Sequence, residues 1–393
     1  MERRRKSGNS NQSSNWRSRE NSTDYRPQRS RKARSMFTRI DPNTKFFEGK
    51  DVDGIHLLTD FDQVRELQVR LGHFCKGPED FFPSYWPVSL SAKNIHKVTS
   101  NPYVVIPKPS GPRFLLYVDS QGKMFLENLT QHIFYVDEDH AVKMRSLDGQ
   151  STKDTVLDGA FCREKLNQDN CNGNDDIPGK LMFVIRDAIR CNGVDLTAMV
   201  FPERIDYVKE EIINPRLNAL KNSEVYNEKE AFSLDIVEYV EANQTESYLC
   251  DGFEERYKYR MRSFIFFPRH KGYVSGSNFS VFQWADNDPQ LCSFRVKIPK
   301  RTEEPKEAEL HVGGPNRTEV KWETIPLTDE IRNLDGRIVG CRYEDHHWAF
   351  VKERPDRIHP NGRRTLSRKI SAQKNPVSRE FLVTTMSKCR GLD

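Results

Sequence analysis

Between about residues 94 and 297, apolar residues come in short dense runs bounded by Pro, Gly or polar clusters, the pattern of strands buried in a core. The runs are "YVVI" at 103–106, "FLLYV" at 114–118, "GKLMFVIRDAI" at 179–189, "MRSFIFFP" at 261–268 and "CSFRVKI" at 292–298. Two segments carry the helical period instead. "DFDQVRELQVRLGHF" at 60–74 opens on Asp60 and Asp62 and spaces its apolar residues for one face of an amphipathic helix. "ERIDYVKEEIINPRLNALK" at 203–221 puts Ile205, Val208, Ile212 and Ile213 on one face, with Pro215 expected to end or kink it. The stretch "PKRTEEPKEAE" at 299–309 is polar and proline-bearing and reads as a linker. Beyond it lie further short strands at 337–354, "RIVGCRYEDHHWAFVKER", and a last helix candidate at 375–389, "NPVSREFLVTTMSKC". Short strands around one small core, in so short a piece of chain, predict a small barrel.

Charge changes this picture at one end. Of the chain's 393 residues, 1–35 hold eleven Lys and Arg against three acids, a net +8, so the remaining residues sum to −3 of the total +5. Basicity belongs mainly to the tail, although a local basic patch in the body is compatible with that balance. Residues 1–35 are Ser-, Asn- and Arg-rich and nearly free of aliphatic side chains, so they are expected to be disordered. "RRRK" at 3–6 and "RSRKAR" at 29–34 fit a nuclear-import signal, a nucleic-acid-binding arm or a plain solvated tail equally well. No apolar run approaches a membrane span and no signal-peptide centre is present, so a chain kept in the nucleus or the cytosol, with no membrane partner, is expected. The eight cysteines are scattered without a CxxC pair, and His346, His347 and His359 lack partners at metal spacing, so no structural zinc is expected.

The link between the runs at 103–106 and 114–118 is Pro107-Lys108-Pro109-Ser110-Gly111-Pro112-Arg113. Alone it reads as a proline-stiffened turn that holds up a lysine, with Pro109 and Pro112 removing backbone donors on either side. Its company is more specific. In order along the chain stand "FPSYWPVSLSAKNI" at 82–95, "KPSGPR" at 108–113, "DTVLDGAF" at 154–161, "FVIRDAI" at 183–189, "KEEIINPR" at 209–216, "YRMRSFIFFPRHKGYVSG" at 259–276, "FQWADND" at 282–288 and "WAFVKERPDRIHPN" at 348–361. This series resembles the motifs of the guanylyltransferase of cellular mRNA capping enzymes, a branch of the covalent nucleotidyltransferases that include DNA and RNA ligases. The resemblance implies an α+β fold. A nucleotidyltransferase domain of antiparallel sheets flanked by helices is expected over 37–298, an OB-fold domain with a C-terminal helix over 299–393, and the basic tail over 1–36.

It also implies a chemistry. In the family the motif lysine attacks the α-phosphate of GTP, and the resulting Lys–GMP phosphoramidate is passed to a diphosphate RNA end, with metal balancing the triphosphate. Lys108 stands at the nucleophile position, and Gly111, Arg113, Asp158, Gly159, Asp187, Arg354 and Asp356 match their motifs. Ser110 replaces the nucleophile motif's aspartate, and Ala160 replaces a glutamate that supports the sugar. Arg262-Ser263 replaces an Asp-Gly pair whose acid helps bind metal, and Gln283 and Ala285 replace two lysines that grip the α-phosphate. Arg357 stands for the barrel's lysine, which keeps the charge and changes its geometry.

Loss of a single preorganised contact costs roughly 10²–10³ in rate. The expectation is therefore a catalytically inactive guanylyltransferase-like protein that binds guanine nucleotide, a cap or an RNA 5′ end. Its ligand site would be drawn from Lys108, Arg113, Asp158, Asp187, Arg262, Arg354 and Arg357, with no cofactor. Mg²⁺ and GTP belong to the alternative, an active enzyme in which displaced groups such as Arg269, Lys271 or Asp286 make good the losses. A scaffold with an empty cleft, serving protein partners of an RNA-processing complex, is the third reading.

Overall fold

The second sheet shows most directly how this sequence folds. It runs in the order Val240–Glu241, Tyr103–Pro109, Met261–Pro268, Gly276–Trp284, Tyr85–Ser89. All pairings are antiparallel except the last, where Tyr85–Ser89 lies parallel to its neighbour at the edge. Side chains alternate between two buried faces: Val104, Ile106, Ile265 and Phe267 enter one core, and Tyr103, Val105, Phe264 and Phe266 enter another. A sheet covered on both sides needs apolar residues at successive positions, which is why "FIFF" at 264–267 and "YVVI" at 103–106 are continuous runs. This computed structural model describes residues 40–77, 81–165, 179–221, 229–250, 253–285, 291–299, 305–314 and 318–389; the basic tail lies outside them.

The first core is closed by the larger sheet, ordered Ile55–Leu57, Ile133–Val136, Met124–Asn128, Arg113–Val118, Thr155–Arg163, Leu181–Cys191, Ser233–Ile236, with Val194–Asp195 also paired to Leu181–Cys191. It is antiparallel apart from Ser233–Ile236. Phe46, Phe114, Phe134 and Phe161 meet in its interior with ring centroids 5.0–6.4 Å apart. Helix Phe61–Phe74 covers this sheet, capped by Asp60 and burying Val64, Leu67, Gln68 and Leu71, the spacing of one helical face.

The second expected helix is present but does not stop at Pro215. Phe201–Val208 is α-helical, Lys209–Ile213 widens into a π turn, and Asn214–Lys221 is α-helical again. Asn214 N–H donates to the Lys209 carbonyl, five residues back. The widened turn makes room where the Pro215 ring would meet the preceding turn, so the proline shifts the helix instead of ending it.

The third sheet, Glu319–Pro326, Glu307–Gly313, Cys292–Lys297, Ile338–Glu344, His347–Glu353, is antiparallel throughout and forms the OB-type barrel around Phe294, Val296, Leu310, Val312, Val339 and Trp348. Two domain limits therefore differ from expectation. Cys292–Lys297 pairs with Glu307–Gly313 and Ile338–Glu344, so the barrel begins before 299, and the last three residues of the expected linker, 307–309, open a barrel strand. The C-terminal helix, Arg379–Met386, does not pack on the barrel. Val377, Leu382 and Met386 join Leu90, Ile95, Val98, Phe264 and Trp284 on the outer face of the second sheet. Between barrel and return runs helix Arg363–Lys374, which packs beside the edge strand Tyr85–Ser89. Among the described residues, no helix is long and apolar enough to cross a membrane.

Candidate nucleotide site

Lys108 is part of a strand, not of a surface turn. It lies in Tyr103–Pro109, half-buried, with Ser263 as its register partner. The turn is confined to 110–112, after which Arg113–Val118 belongs to the other sheet, so the proline-rich link is where the chain steps between sheets. Ser110 N–H donates to the Arg260 carbonyl at 2.8 Å, and Phe161 N–H donates to the Pro112 carbonyl at 3.0 Å. A Cβ on Gly111 would stand 1.7 Å from the Phe161 carbonyl oxygen, so only glycine allows the step.

Four groups of the expected site residues result. The first surrounds Lys108. Gln283 Nε2 donates to Ser263 Oγ at 3.0 Å, beside the register position of Lys108. The pairing of Met261–Pro268 with Tyr103–Pro109 is interrupted at Arg262, whose side chain lies outside the described residues. Ala285 follows directly on the strand that carries Gln283, and Asp286 lies outside the described residues. From the facing sheet come the buried Ala160, in register with Arg113, and Cys162. Burial pushes the Cys162 thiol up to about 12, against the pull of Arg186 and of Lys108, which places the lysine within electrostatic reach of it.

The second group departs from expectation. Arg113 and Asp158 are turned onto each other instead of lining an open ligand site. Arg113 Nε donates to Asp158 Oδ1 at 2.8 Å, Nη2 contacts Asp158 Oδ2, and Nη1 donates to the Tyr85 carbonyl at 2.7 Å. Ser84 Oγ donates to Asp158 Oδ2 at 2.6 Å, and Tyr273 O–H donates to Ser84 Oγ at 2.9 Å. The guanidinium lies 4.4 Å from the Tyr85 ring centroid. Burial alone would raise the Asp158 carboxyl, but Arg113, Arg186 and Ser84 hold it below its ordinary value.

In the third group, Asp187 is likewise engaged, accepting from Arg204 Nε at 2.7 Å and Nη2 at 2.8 Å, while Arg204 Nη1 donates to the Met199 carbonyl. Both partners are fully buried. The sequence reading missed Arg204, although Phe201, Arg204, Ile205 and Val208 follow the helical period and place it on the buried face. It also missed Ser84, Tyr85 and Arg186, which only the crossing of the sheets brings together.

The fourth group is on the barrel. Arg354 makes a two-pronged pair with Asp356 at 2.7 and 2.6 Å, and Arg357 reaches the nucleotidyltransferase part, 5.8 Å from the Trp86 ring centroid. Trp86 also lies within 5.9 Å of Arg113. Phe81 meets His359 with ring centroids 5.4 Å apart, the planes tilted by 57°.

The two parts also match known proteins. A model of the mRNA capping enzyme catalytic domain matches residues 47–287, and a model of the mRNA capping enzyme C-terminal domain matches 270–383. The chain belongs to the mRNA capping enzyme family. It is 26% identical over 348 residues to the mRNA-capping enzyme of Mus musculus and 24% identical over 348 residues to that of Danio rerio, matches that cover 88% of this chain and 56% of each relative. Against the mRNA-capping enzyme subunit alpha of Yarrowia lipolytica it is 23% identical over 372 residues, covering 84% of this chain and 88% of the relative. The chain thus spans about half the length of the mouse and zebrafish relatives. Among solved structures, an ATP-dependent DNA ligase from bacteriophage T7 in complex with ATP aligns with a TM-score of 0.33 and 13% identity, covering 69% of this chain and 98% of the ligase.

Among the described residues, the metal that capping enzymes use finds no suitable donor set. Asp158 and Asp187 are each neutralised by a buried guanidinium, an arginine stands at the position of the metal acid, and no three His, Cys, Asp or Glu side chains gather among the described residues.

Proposed function

We propose that this capping-enzyme relative is catalytically inactive and uses its cleft to bind guanine nucleotide, a cap or an RNA 5′ end in the nucleus, without metal. The observation that carries the reading is the neutral Gln283–Ser263 hydrogen bond beside Lys108. A nucleophilic lysine needs nearby cations to keep its amine deprotonated, and the transferring phosphoryl group needs a metal clamp. An amide and a hydroxyl supply neither. Positive charge remains at Lys108 and Arg357, while Arg354 is held by Asp356; the first two cations suit charge-assisted binding of an anionic 5′ end.

The test is incubation with GTP labelled at the α-phosphate, in Mg²⁺ or Mn²⁺, beside titrations with GTP, cap analogue and 5′-triphosphate RNA. The expected result is no covalent adduct, with saturable binding of at least one ligand that weakens in Lys108→Ala. A GMP adduct that disappears in Lys108→Ala would establish the active enzyme instead. Failure to bind any of the three beyond non-specific, salt-dependent attraction would refute the binder.

A further inference from the structure

The body of the chain sums to −3, yet residues 352–374 hold eight Lys and Arg against Glu353 and Asp356. Helix Arg363–Lys374 carries five of these cations and no acid. Arg364 and Arg368 stand one turn apart, an arrangement that costs a helix a little by repulsion. Arg363, Arg364 and Arg368 pair with no carboxylate among the described residues. Arg368 lies instead 4.1 Å from the ring centroid of Phe279, which is still 50% exposed. Nearby, Lys369 donates to the Leu291 carbonyl at 2.6 Å, and burial together with Arg357 and Arg354 pushes its ammonium down to about 7. Just before this helix, Arg357 and His359 contact Trp86 and Phe81 of the nucleotidyltransferase part.

Cations without acids, interleaved with exposed rings, are what a single-stranded nucleic acid uses: phosphates meet guanidinium groups and bases stack on aromatic faces. We propose that helix Arg363–Lys374 with Phe279 is a docking surface for single-stranded RNA, holding the chain that follows the 5′ end. Arg363, Arg364 and Arg368 face the phosphates and Phe279 supplies a stacking platform. The proposal extends the reading of the cleft and rests on it for choosing RNA among polyanions.

The test uses the full chain and a 3′-fluorescein oligouridylate of about 20 nucleotides with a 5′ hydroxyl, followed by anisotropy at several KCl concentrations. The probe has no cap and no 5′ phosphate, so the outcome is independent of whether the cleft binds guanine nucleotide. Arg364→Glu/Arg368→Glu is expected to weaken binding at least tenfold and to reduce the salt slope by roughly 1.4, at about 0.7 per phosphate contact. Phe279→Ala, on an exposed side chain that leaves the fold intact, is expected to lose about fivefold or more. Arg364→Lys/Arg368→Lys should retain most of the affinity. The proposal is overturned if the charge-reversal variant, with a wild-type melting curve, binds within about twofold of wild type. It is equally overturned if the variants lose affinity for phosphatidylserine vesicles and none for RNA. Should the charge-reversal chain not fold, undiminished binding by Phe279→Ala overturns the proposal by itself.

Discussion

Glu127 offers the most quantitative test of this structure. It sits in Met124–Asn128, opposite Leu115 and Ile133, and is 1% exposed. Neither carboxyl oxygen has a hydrogen-bond partner, and burial lifts the group from 4.5 to about 8. Below pH 4.5 the carboxyl is protonated in both folded and unfolded chains, and the fold is not penalised. Between 4.5 and about 8 the unfolded chain releases the proton while the folded chain keeps it, so stability falls by about 1.4 kcal/mol per pH unit. Above about 8 the loss is complete, at roughly 5 kcal/mol.

Glu127→Gln keeps the shape and cannot ionise. The amide carries its own desolvation cost, but that cost does not depend on pH, so the quantity to read is the slope of the difference between the two proteins. Other carboxyls raised by burial, such as Asp187 and Asp235, titrate identically in both and cancel. Urea unfolding at pH 5, 6.5 and 8 is expected to show the variant gaining on wild type by several kcal/mol across the range. A difference that stays flat from pH 5 to 8 would mean that the Glu127 carboxyl is solvated or paired, and the reasoning would fail.

Two other predictions follow from buried contacts. Arg204→Met leaves the buried Asp187 carboxyl without its partner, and should destabilise the chain by roughly 3–5 kcal/mol in urea unfolding, whereas Asp187→Leu/Arg204→Met should recover much of the loss. Gly111→Ala forces a methyl group to within 1.7 Å of the Phe161 carbonyl, and should cost at least about 1–3 kcal/mol, seen as a lowered melting midpoint; an unchanged midpoint would show that the step between the sheets is loose.

What was legible in the sequence was set by local physics. "MRSFIFFP" gives the strand Met261–Pro268 with the same limits, because burial on both faces makes 264–267 a continuous apolar run and Pro268 closes it. Asp60 and the apolar spacing behind it mark helix Phe61–Phe74. What was not legible is partnership. "CSFRVKI" reads as a strand in any sheet, and nothing in its seven letters says that its neighbours are barrel strands. Helix Arg363–Lys374 was missed because Leu366 is its one fully buried apolar residue, too thin a stripe to show a period. The motif residues were found, but the pairing of Arg113 with Asp158 across 45 positions depends on two strands lying side by side. A motif match names the residue and leaves open whether its charge faces a ligand or a neighbour.

The chain's path bears on what the cleft can do. The strand Gly276–Trp284 ends where the chain leaves for the barrel, and Val377 is where it returns. Trp284 Nε1–H donates to the Val377 carbonyl at 2.8 Å, so the points of departure and return are tied to each other. The barrel is thus held through two strands of chain at its base and fastened further out by Arg357 on Trp86, His359 on Phe81 and helix Arg363–Lys374 beside Tyr85–Ser89. Opening would expose a half-buried tryptophan and break the Arg357–Trp86 cation–aromatic contact, worth roughly 0.5–2 kcal/mol. A transferase must open to release product and take RNA, so such fastening opposes turnover. A protein that only holds its ligand meets no such cost. The neutral pair beside Lys108 and the fastened barrel are separate features, and both support the proposed reading of retention over transfer.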